Sequence, residues 1–215
     1  MTITLTPLRL ILAALVISLL TWLLWPAGDP LWSVAKTASA PSRLVVIGDS
    51  LTTGYKLNDP QKTFPLELGR RLGLPVQVEG VNGSTLSEGA KRLDQLILGE
   101  PALVLVCLGG NDQLRQVPHD HSNAALTSIL QRLRAQGHAV AFVEVLGPFG
   151  GARSKSWRQI CRDQQVALIP DAMDGILSDE TLKIDDIHPN EAGCALLAER
   201  SLKALRHFGL VAEKP

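Results

Sequence analysis

VVIGDSLTTGY, residues 45–55, is an apolar run that stops abruptly at Gly48-Asp49-Ser50. A short apolar run bounded by turn residues is typical of a buried β-strand. Three structures can end a strand in this way: an ordinary strand-to-helix turn, a loop that binds phosphate, or a turn that carries a nucleophilic serine. Taken alone, Ser50 is best explained as the N-cap of a helix, so the rest of the chain has to decide between the three.

Apolar runs and helical patterns alternate along the remainder of the chain. We predict strands at RLVVIG (43–48), VQVEGV (76–81), ALVLVCLG (102–109), AVAFVEVL (139–146) and VALIP (166–170). The segments between them are amphipathic and several end at Gly, and we expect Asn190 to cap a last helix that ends near His207. This alternation predicts an α/β fold with a parallel sheet of about five strands and helices on both faces.

Polar clusters follow the first three predicted strands and precede the last helix. They are Gly48-Asp49-Ser50, Asn82-Gly83-Ser84-Thr85, Gly109-Gly110-Asn111-Asp112 and Asp185-Asp186-Ile187-His188-Pro189-Asn190. The carboxyl ends of parallel strands lie at one edge of a sheet, where ligands bind, so we expect the first three clusters to meet there. Each cluster alone has an ordinary explanation as a turn or a loop. Together they contain the groups that an acyl-transfer site needs.

Each of these groups has a chemical role in acyl transfer. A serine hydroxyl is a weak nucleophile until a neutral imidazole accepts its proton, so Ser50 is the candidate nucleophile and His188 the candidate base. Asp185, three residues before the histidine, can orient its other ring nitrogen. The backbone N–H groups of Ser50 and Gly83 and the side-chain amide of Asn111 are three candidate donors for an oxyanion hole.

Other motifs fit the sequence less well. GDSLTTGY has no lysine where a P-loop needs one, and GSTLSEG does not give the dinucleotide-binding glycine pattern. The nucleophile elbow G-x-S-x-G is absent, which disfavours the α/β-hydrolase layout. PHDH, residues 118–121, contains a His-x-His pair, but no third ligand is evident, so we predict no metal site.

Length and composition narrow the function classes further. The 215 residues suffice for one domain with a substantial core, and 21 basic against 21 acidic residues give a formal net charge of zero. A nucleic-acid-binding protein would show a basic patch, so we predict no nucleic-acid partner. Cys107, Cys161 and Cys194 show no CxxC spacing, and their odd number rules out a fully paired disulfide framework, so we expect buried thiols.

The first forty residues differ from the rest of the chain. LILAALVISLLTWLLW, Leu10 to Trp25, is an uncharged run between a long signal-peptide core and a short membrane span, which needs about 17–25 residues. ASA (38–40) has the form of a cleavage site, but Pro41 follows it directly. We expect an uncleaved hydrophobic helix in the inner membrane, with the catalytic domain in the periplasm or outside the cell. Secretion after signal cleavage and a soluble core helix are the alternatives. The predicted segments are an anchor or signal (1–27), a linker (28–42) and a hydrolase domain (43–210).

The four clusters together resemble the sequence blocks of the SGNH (GDSL) hydrolase family. GDSLTTGY resembles the first block, with Ser50 as the nucleophile, and NGSTLSEG the second, with Gly83 as an oxyanion donor. LGGNDQLR resembles the third block, with Asn111 as the other donor. DDIHPNEAG resembles the last block, with Asp185 and His188 completing a catalytic triad.

This resemblance implies a flavodoxin-like three-layer α/β/α sandwich, no cofactor, and a small ester or lipid as substrate. FPLELGRRL, GGNDQLRQVP and DDIHPNEAG are most similar to bacterial extracytoplasmic thioesterases, arylesterases and lysophospholipases. We therefore expect a serine ester hydrolase. GPFGGARSKSW (147–157) differs from that subgroup in its aromatic spacing. An O-acetyl esterase of envelope polysaccharide stays an alternative, and so does a membrane-tethered binding protein without turnover.

Overall fold

Five strands form one parallel sheet in the computed structural model, which describes residues 32–37, 40–96, 98–146 and 151–212. They are β1 (Leu44–Gly48), β2 (Val76–Gly80), β3 (Leu103–Cys107), β4 (Ala139–Val143) and β5 (Ala167–Ile169). Their spatial order is β2-β1-β3-β4-β5, and every neighbouring pair is parallel. The predicted five-stranded parallel sheet is confirmed, and the strand order is that of flavodoxin-like folds.

Helices follow the strands and are stopped or started by local capping signals. They are α1 (Ser50–Thr53), α2 (Phe64–Leu72), α3 (Leu86–Arg92), α4 (Gly110–Leu114), α5 (His119–Ala135), α6 (Gly151–Asp163) and α7 (Glu191–His207). Gly73 ends α2 in the left-handed conformation. Thr85 and Glu88 form a capping box at the start of α3. The Asn190 side chain accepts N–H groups of the first turn of α7, which confirms the predicted cap and helix.

The helices cover both faces of the sheet. Leu44 and Val46 of β1 belong to the same buried cluster as Leu68 of α2 and Leu197 of α7. Side chains alternate between the two faces of a strand, and Phe142 of β4 faces the other way, with its ring edge-on to Trp157 of α6 at 5.3 Å. The three cysteines are buried free thiols, as expected. The result is a helix–sheet–helix sandwich with the core in two layers.

The sheet brings the predicted polar clusters to one edge. Gly48, the last residue of β1, pairs with Gly80 of β2 on one side and with Cys107 of β3 on the other. A Cβ atom on Gly48 would lie 1.9 Å from Thr52 Oγ1 and 2.7 Å from the Cys107 carbonyl oxygen. Glycine is therefore required here, because the chain must turn sharply into α1 against its neighbour strand. The loops after β1, β2 and β3 consequently begin side by side.

The predicted membrane location is wrong for the part of the chain that the structure describes. The longest helices there, α5 and α7, have 17 residues each. No described helix is both long and apolar enough to cross a bilayer, which takes about 20 apolar residues. We therefore withdraw the inner-membrane location and the membrane as a partner. The run from Leu10 to Trp25, the predicted hydrophobic helix, lies outside the described residues. The domain boundaries, and secretion after cleavage, stay predictions.

Candidate active site

Ser50, His188 and Asp185 lie in one hydrogen-bonded row. Ser50 begins α1 directly after β1, and its Oγ is 3.0 Å from Nε2 of His188. Nδ1 of the same imidazole is 2.8 Å from Oδ1 of Asp185. His188 is 8% exposed, so the histidine is largely shielded from water while its ring nitrogens keep their partners. A hydroxyl, an imidazole and a carboxylate in this order can transfer a proton from the hydroxyl to the ring.

The Asp185 carboxylate also builds the turn that carries the imidazole. Its Oδ1 accepts the backbone N–H groups of Ile187 at 3.1 Å and His188 at 3.0 Å, and its Oδ2 lies 2.8 Å from Nζ of Lys56. Burial opposes ionisation of this carboxyl. The hydrogen bonds from Lys56, Ile187 and His188 outweigh that effect and hold the pKa of Asp185 well below its ordinary value. Asp186 is exposed, and its one described interaction is a charge attraction to Lys183.

Gly83 lies in a turn at the end of β2 that needs a left-handed residue. Its φ is +77°, and the N–H of Ser84 donates to the carbonyl of Val81 at 3.1 Å to close the turn. Arg115 holds the turn from outside, because its Nη2 donates to the Gly83 carbonyl at 2.8 Å. Within the described part of the chain, the backbone N–H groups of Gly83 and Ser50 have no acceptor. Both are available to a bound anion.

The Asn111 amide, the third predicted donor, already has partners within the protein. Its Nδ2 donates to Oδ2 of Asp49 at 2.9 Å and to the carbonyl of Ser84 at 3.1 Å. An amide nitrogen carries two hydrogens, so an oxyanion at this position must share or replace one of these bonds. The longer bond, to Ser84, is the weaker competitor.

Asp49 is the residue that the sequence analysis undervalued. Its side chain, rather than that of Ser50, caps α1 by accepting the N–H of Leu51 at 3.0 Å, and the serine hydroxyl is thereby left for the imidazole. Asp49 is 2% exposed. Burial raises its pKa to about 6, although the hydrogen bonds from Leu51 and Asn111 and the nearby His188 favour the charged form. A buried carboxylate thus holds the Asn111 amide beside the nucleophile.

Tyr55 and Lys56 are two further site residues that sequence reasoning missed. The Tyr55 ring lies against the His188 imidazole, with 4.9 Å between centroids and planes inclined at 52°. Lys56 contacts Asp185 across 129 positions of sequence. Tyr55 ends the quoted run VVIGDSLTTGY, but nothing in a local pattern marks either side chain as a neighbour of the histidine.

The His-x-His pair lies elsewhere. His119 and His121 are exposed in the first turn of α5, where residues two apart do not face each other. Among the residues with described positions, no group of three His, Cys, Asp or Glu is placed to hold a metal ion.

Known proteins resemble this chain over most of its length. The family model described as GDSL-like Lipase/Acylhydrolase family matches residues 46–196. Esterase TesA of Pseudomonas aeruginosa is 31% identical over 181 residues, which cover 78% of this chain and 90% of the relative. The thioesterase 1/protease 1/lysophospholipase L1 of Escherichia coli is 28% identical over 179 residues, which cover 79% of this chain and 86% of that enzyme.

Solved structures agree with the sequence relatives. A crystal structure of TesA superposes with a TM-score of 0.70 at 30% identity and covers 77% of this chain and 99% of its own. The psychrotrophic esterase EstA from Pseudoalteromonas sp. gives a TM-score of 0.69 at 24% identity, with 78% and 98% coverage. At that identity the second likeness supports the fold alone.

Proposed function

This chain belongs to the GDSL-like lipase/acylhydrolase family and is an ester hydrolase, and we propose that it works through an acyl-enzyme on Ser50. One observation carries the proposal: the unbroken row from Ser50 Oγ through both ring nitrogens of His188 to Asp185, with distances of 3.0 and 2.8 Å. Nucleophile, base and orienting acid have the geometry that serine hydrolysis requires.

In this mechanism, His188 Nε2 accepts the hydroxyl proton while Ser50 Oγ forms a bond to the carbonyl carbon of the ester. The carbonyl π bond opens to an oxyanion. When it re-forms, the bond between the carbonyl carbon and the leaving oxygen or sulfur breaks, and the ring passes its proton to the departing alcohol or thiol, which leaves an acyl-enzyme. Water then attacks the acyl carbon and gives a proton to the same nitrogen; as the bond from that carbon to Ser50 Oγ breaks, the ring returns the proton to Oγ and the carboxylic acid is released. Asp185 keeps Nδ1 protonated and stabilises the imidazolium in both halves.

The oxyanion forms where neutral donors converge. We assign its stabilisation to the N–H groups of Ser50 and Gly83, together with Asn111 Nδ2. The first two are supported by their lack of an acceptor in the described structure. The third acts by exchanging or sharing its 3.1 Å bond to the Ser84 carbonyl. Removing one such donor usually costs about 10²–10³ in kcat.

An ester with an apolar acyl chain or an aromatic leaving group is the substrate class that the surroundings of the site favour. The large exposed hydrophobic side chains next to site residues are Tyr55, Val81, Leu114, Ile184 and Ile187, which are 38–57% exposed. Exposed apolar side chains beside a site offer contacts to the apolar part of a ligand. The relatives named thioesterase, lysophospholipase and arylesterase are consistent with aryl-ester, thioester or lysophospholipid substrates.

Labelling with an organophosphonate tests the nucleophile directly. We expect one phosphonyl group per chain on Ser50, and no labelling or ester turnover in Ser50→Ala. Ser156→Ala, a half-buried serine of α6 whose hydroxyl donates to the Ala152 carbonyl, is the matched control and should keep both. Thermal unfolding should be unchanged in Ser50→Ala, because the one side-chain partner of that hydroxyl in the described structure is His188. Wild-type turnover by Ser50→Ala would overturn the proposal.

A further inference from the structure

The carboxylate of Asp185 is held from two sides, and the two sides differ. Oδ1 takes all three N–H partners, those of Ile187, of the His188 backbone and of the imidazole. Oδ2 has one partner in the described structure, the ammonium of Lys56 at 2.8 Å. A carboxylate with a cation on one oxygen cannot rotate that oxygen towards the imidazole without breaking the ion pair.

We propose that Lys56 is a positioning residue that fixes the Asp185 carboxylate and, through it, the reactive orientation of His188. The inference rests on the proposed function, because it concerns the same row of side chains. The bridging role suits lysine: its three donors allow one to point at Oδ2 while the others stay in water. The Lys56 side chain is 49% exposed, so the contact is open to salt.

Lys56 reaches Asp185 through an unfavourable backbone conformation. Gly54 ends α1 with a φ of +70°, and the N–H of Tyr55 donates back to the carbonyl of Ser50 at 3.1 Å. Lys56 itself has a φ of +63°, a left-handed conformation that a residue with a Cβ atom rarely adopts. The seven residues from Ser50 to Lys56 thus turn back, with a strained lysine at their end, onto Asp185.

Tyr55 and Lys56 contact the His188–Asp185 pair side by side. The tyrosine ring lies 4.9 Å from the imidazole centroid, and the lysine ammonium lies 5.3 Å from the centroid of that tyrosine ring. The nucleophile, the ring contact and the cation all belong to one short stretch that follows β1. The stretch therefore couples the position of the hydroxyl to the position of its base.

The titratable groups near His188 determine the sign of the effect. Asp49 and Tyr55 interact with His188 from the segment after β1, and Lys56 of the same segment contacts Asp185. On the loop before α7, Asp185 contacts the imidazole, and Lys183 interacts with Asp185 and Asp186. Removing the ammonium of Lys56 leaves the charge of Asp185 less compensated, which favours the protonated imidazole. A higher pH is then needed to produce the neutral base, so the rising limb of the pH–rate profile moves to higher pH.

The test compares Lys56→Met with Lys56→Arg and Lys183→Met. Lys183 forms an ion pair of the same 2.8 Å length with Glu180, close to the row but without contact to it, so it controls for loss of nearby charge. In Lys56→Met, we expect the rising limb of kcat/KM to move up by about 0.2–0.7 pH unit, the range for a half-exposed pair. We expect kcat on the plateau to fall roughly 3–10-fold with KM unchanged, because the base is less well oriented. In Lys56→Arg the rising limb should return to its wild-type pH. In Lys183→Met it should move by less than half of the shift in Lys56→Met.

Salt gives a second readout that needs no variant. Raising ionic strength from about 0.05 to 1 M screens the exposed ion pair. The wild-type limb should then move towards that of Lys56→Met, while the limb of Lys56→Met should hardly respond. A purely structural lysine would show neither the limb shift nor its salt dependence.

A failure of the proposed function can be distinguished from a failure of the proposed role of Lys56. If Ser50→Ala keeps wild-type turnover, the proposed function fails. If Ser50→Ala is inactive but Lys56→Met has the wild-type limb and kcat, only the role of Lys56 fails. Equal limb shifts in Lys56→Met and Lys183→Met would also overturn it, since the effect would then be general charge and not the contact. Should Lys56→Met unfold, Lys56→Gln and the wild-type salt series decide.

Discussion

Asp185→Asn against Asp186→Asn is the sharpest comparison that the site offers. The two acids are adjacent and lose the same charge on substitution, yet one contacts the imidazole and the other is exposed. We expect Asp185→Asn to reduce kcat by at least about tenfold and by up to about 10⁴, and Asp186→Asn to change it several-fold at most. The pair therefore separates the orienting contact from the loss of a nearby negative charge.

The magnitude follows from the contacts of the carboxylate. An asparagine at 185 can aim its carbonyl oxygen at the N–H groups of Ile187 and His188, but its amide group then meets the ammonium of Lys56, donor against donor. With the side chain rotated by 180°, the NH₂ group of the asparagine instead faces three other donors: the two backbone N–H groups and the imidazole Nδ1–H. In both cases the imidazolium loses a charge-assisted hydrogen bond, which contributes about 1.5–3 kcal/mol, or roughly 10- to 150-fold. Where the wrong ring tautomer is also populated, the loss extends to about 10⁴.

Steady-state hydrolysis of an aryl acetate measures the effect, with kcat and KM determined separately over the pH range from about 5 to 9. The wild-type rate should rise with pH as the imidazole becomes a neutral base. Thermal unfolding of each variant controls for the loss of the turn that Asp185 builds. A larger loss in Asp186→Asn than in Asp185→Asn would refute the assignment of the acid. A loss of less than tenfold in both would mean that something other than a carboxylate orients His188.

Two further predictions concern the Asn111 amide and a buried histidine far from the site. Asn111→Ala should lower kcat by about 10²–10³ with a smaller change in KM, and should also lower the unfolding midpoint in urea, because buried Asp49 loses a donor; an effect on KM alone would make Asn111 a substrate-binding residue. At the opposite edge of the sheet, His138 accepts the N–H of Ala102 on Nδ1, and burial followed by the charge of Arg43 lowers its pKa. Its contribution to stability is therefore complete above about pH 6.5 and is lost as the pH falls below that value. Asp49 works in the opposite sense over part of that window, because its pKa is raised. The free energy of unfolding in urea should therefore fall less between about pH 7.5 and pH 5 in His138→Asn than in the wild type. An equal fall in both proteins would exclude a role for His138.

Local sequence determined the elements and the chemistry of this protein. β1 and β3 are buried along their whole length, so each had to be a continuous apolar run, and such runs are visible without a structure. Capping by Asn190 and the spacing of Asp185 and His188 are also local, since each depends on residues within three or four positions. The family could be predicted because four such local blocks occur in one chain.

Strand ends were predicted less well, because they depend on neighbours far along the chain. β4 was predicted to continue to Leu146 but ends at Val143. The next side chain, Glu144, is 1% exposed and is tied to Ser154 and Arg158 of α6. A charged side chain inside an apolar run predicts an exposed position unless its partners are known, and these partners are 10 and 14 positions away.

Only the tertiary structure decided which groups are free to act. The sequence named Asn111 as a donor, but its bond to Asp49, 62 positions away, shows that the amide is held before any substrate binds. It offered Ser50 as a helix cap, and the structure gives that task to Asp49. No sequence pattern indicated a role for Lys56, because its partner is 129 positions away. Periodicity and capping are properties of neighbouring residues, whereas the competition of one donor between several acceptors arises only when the folded sheet brings distant loops to the same edge.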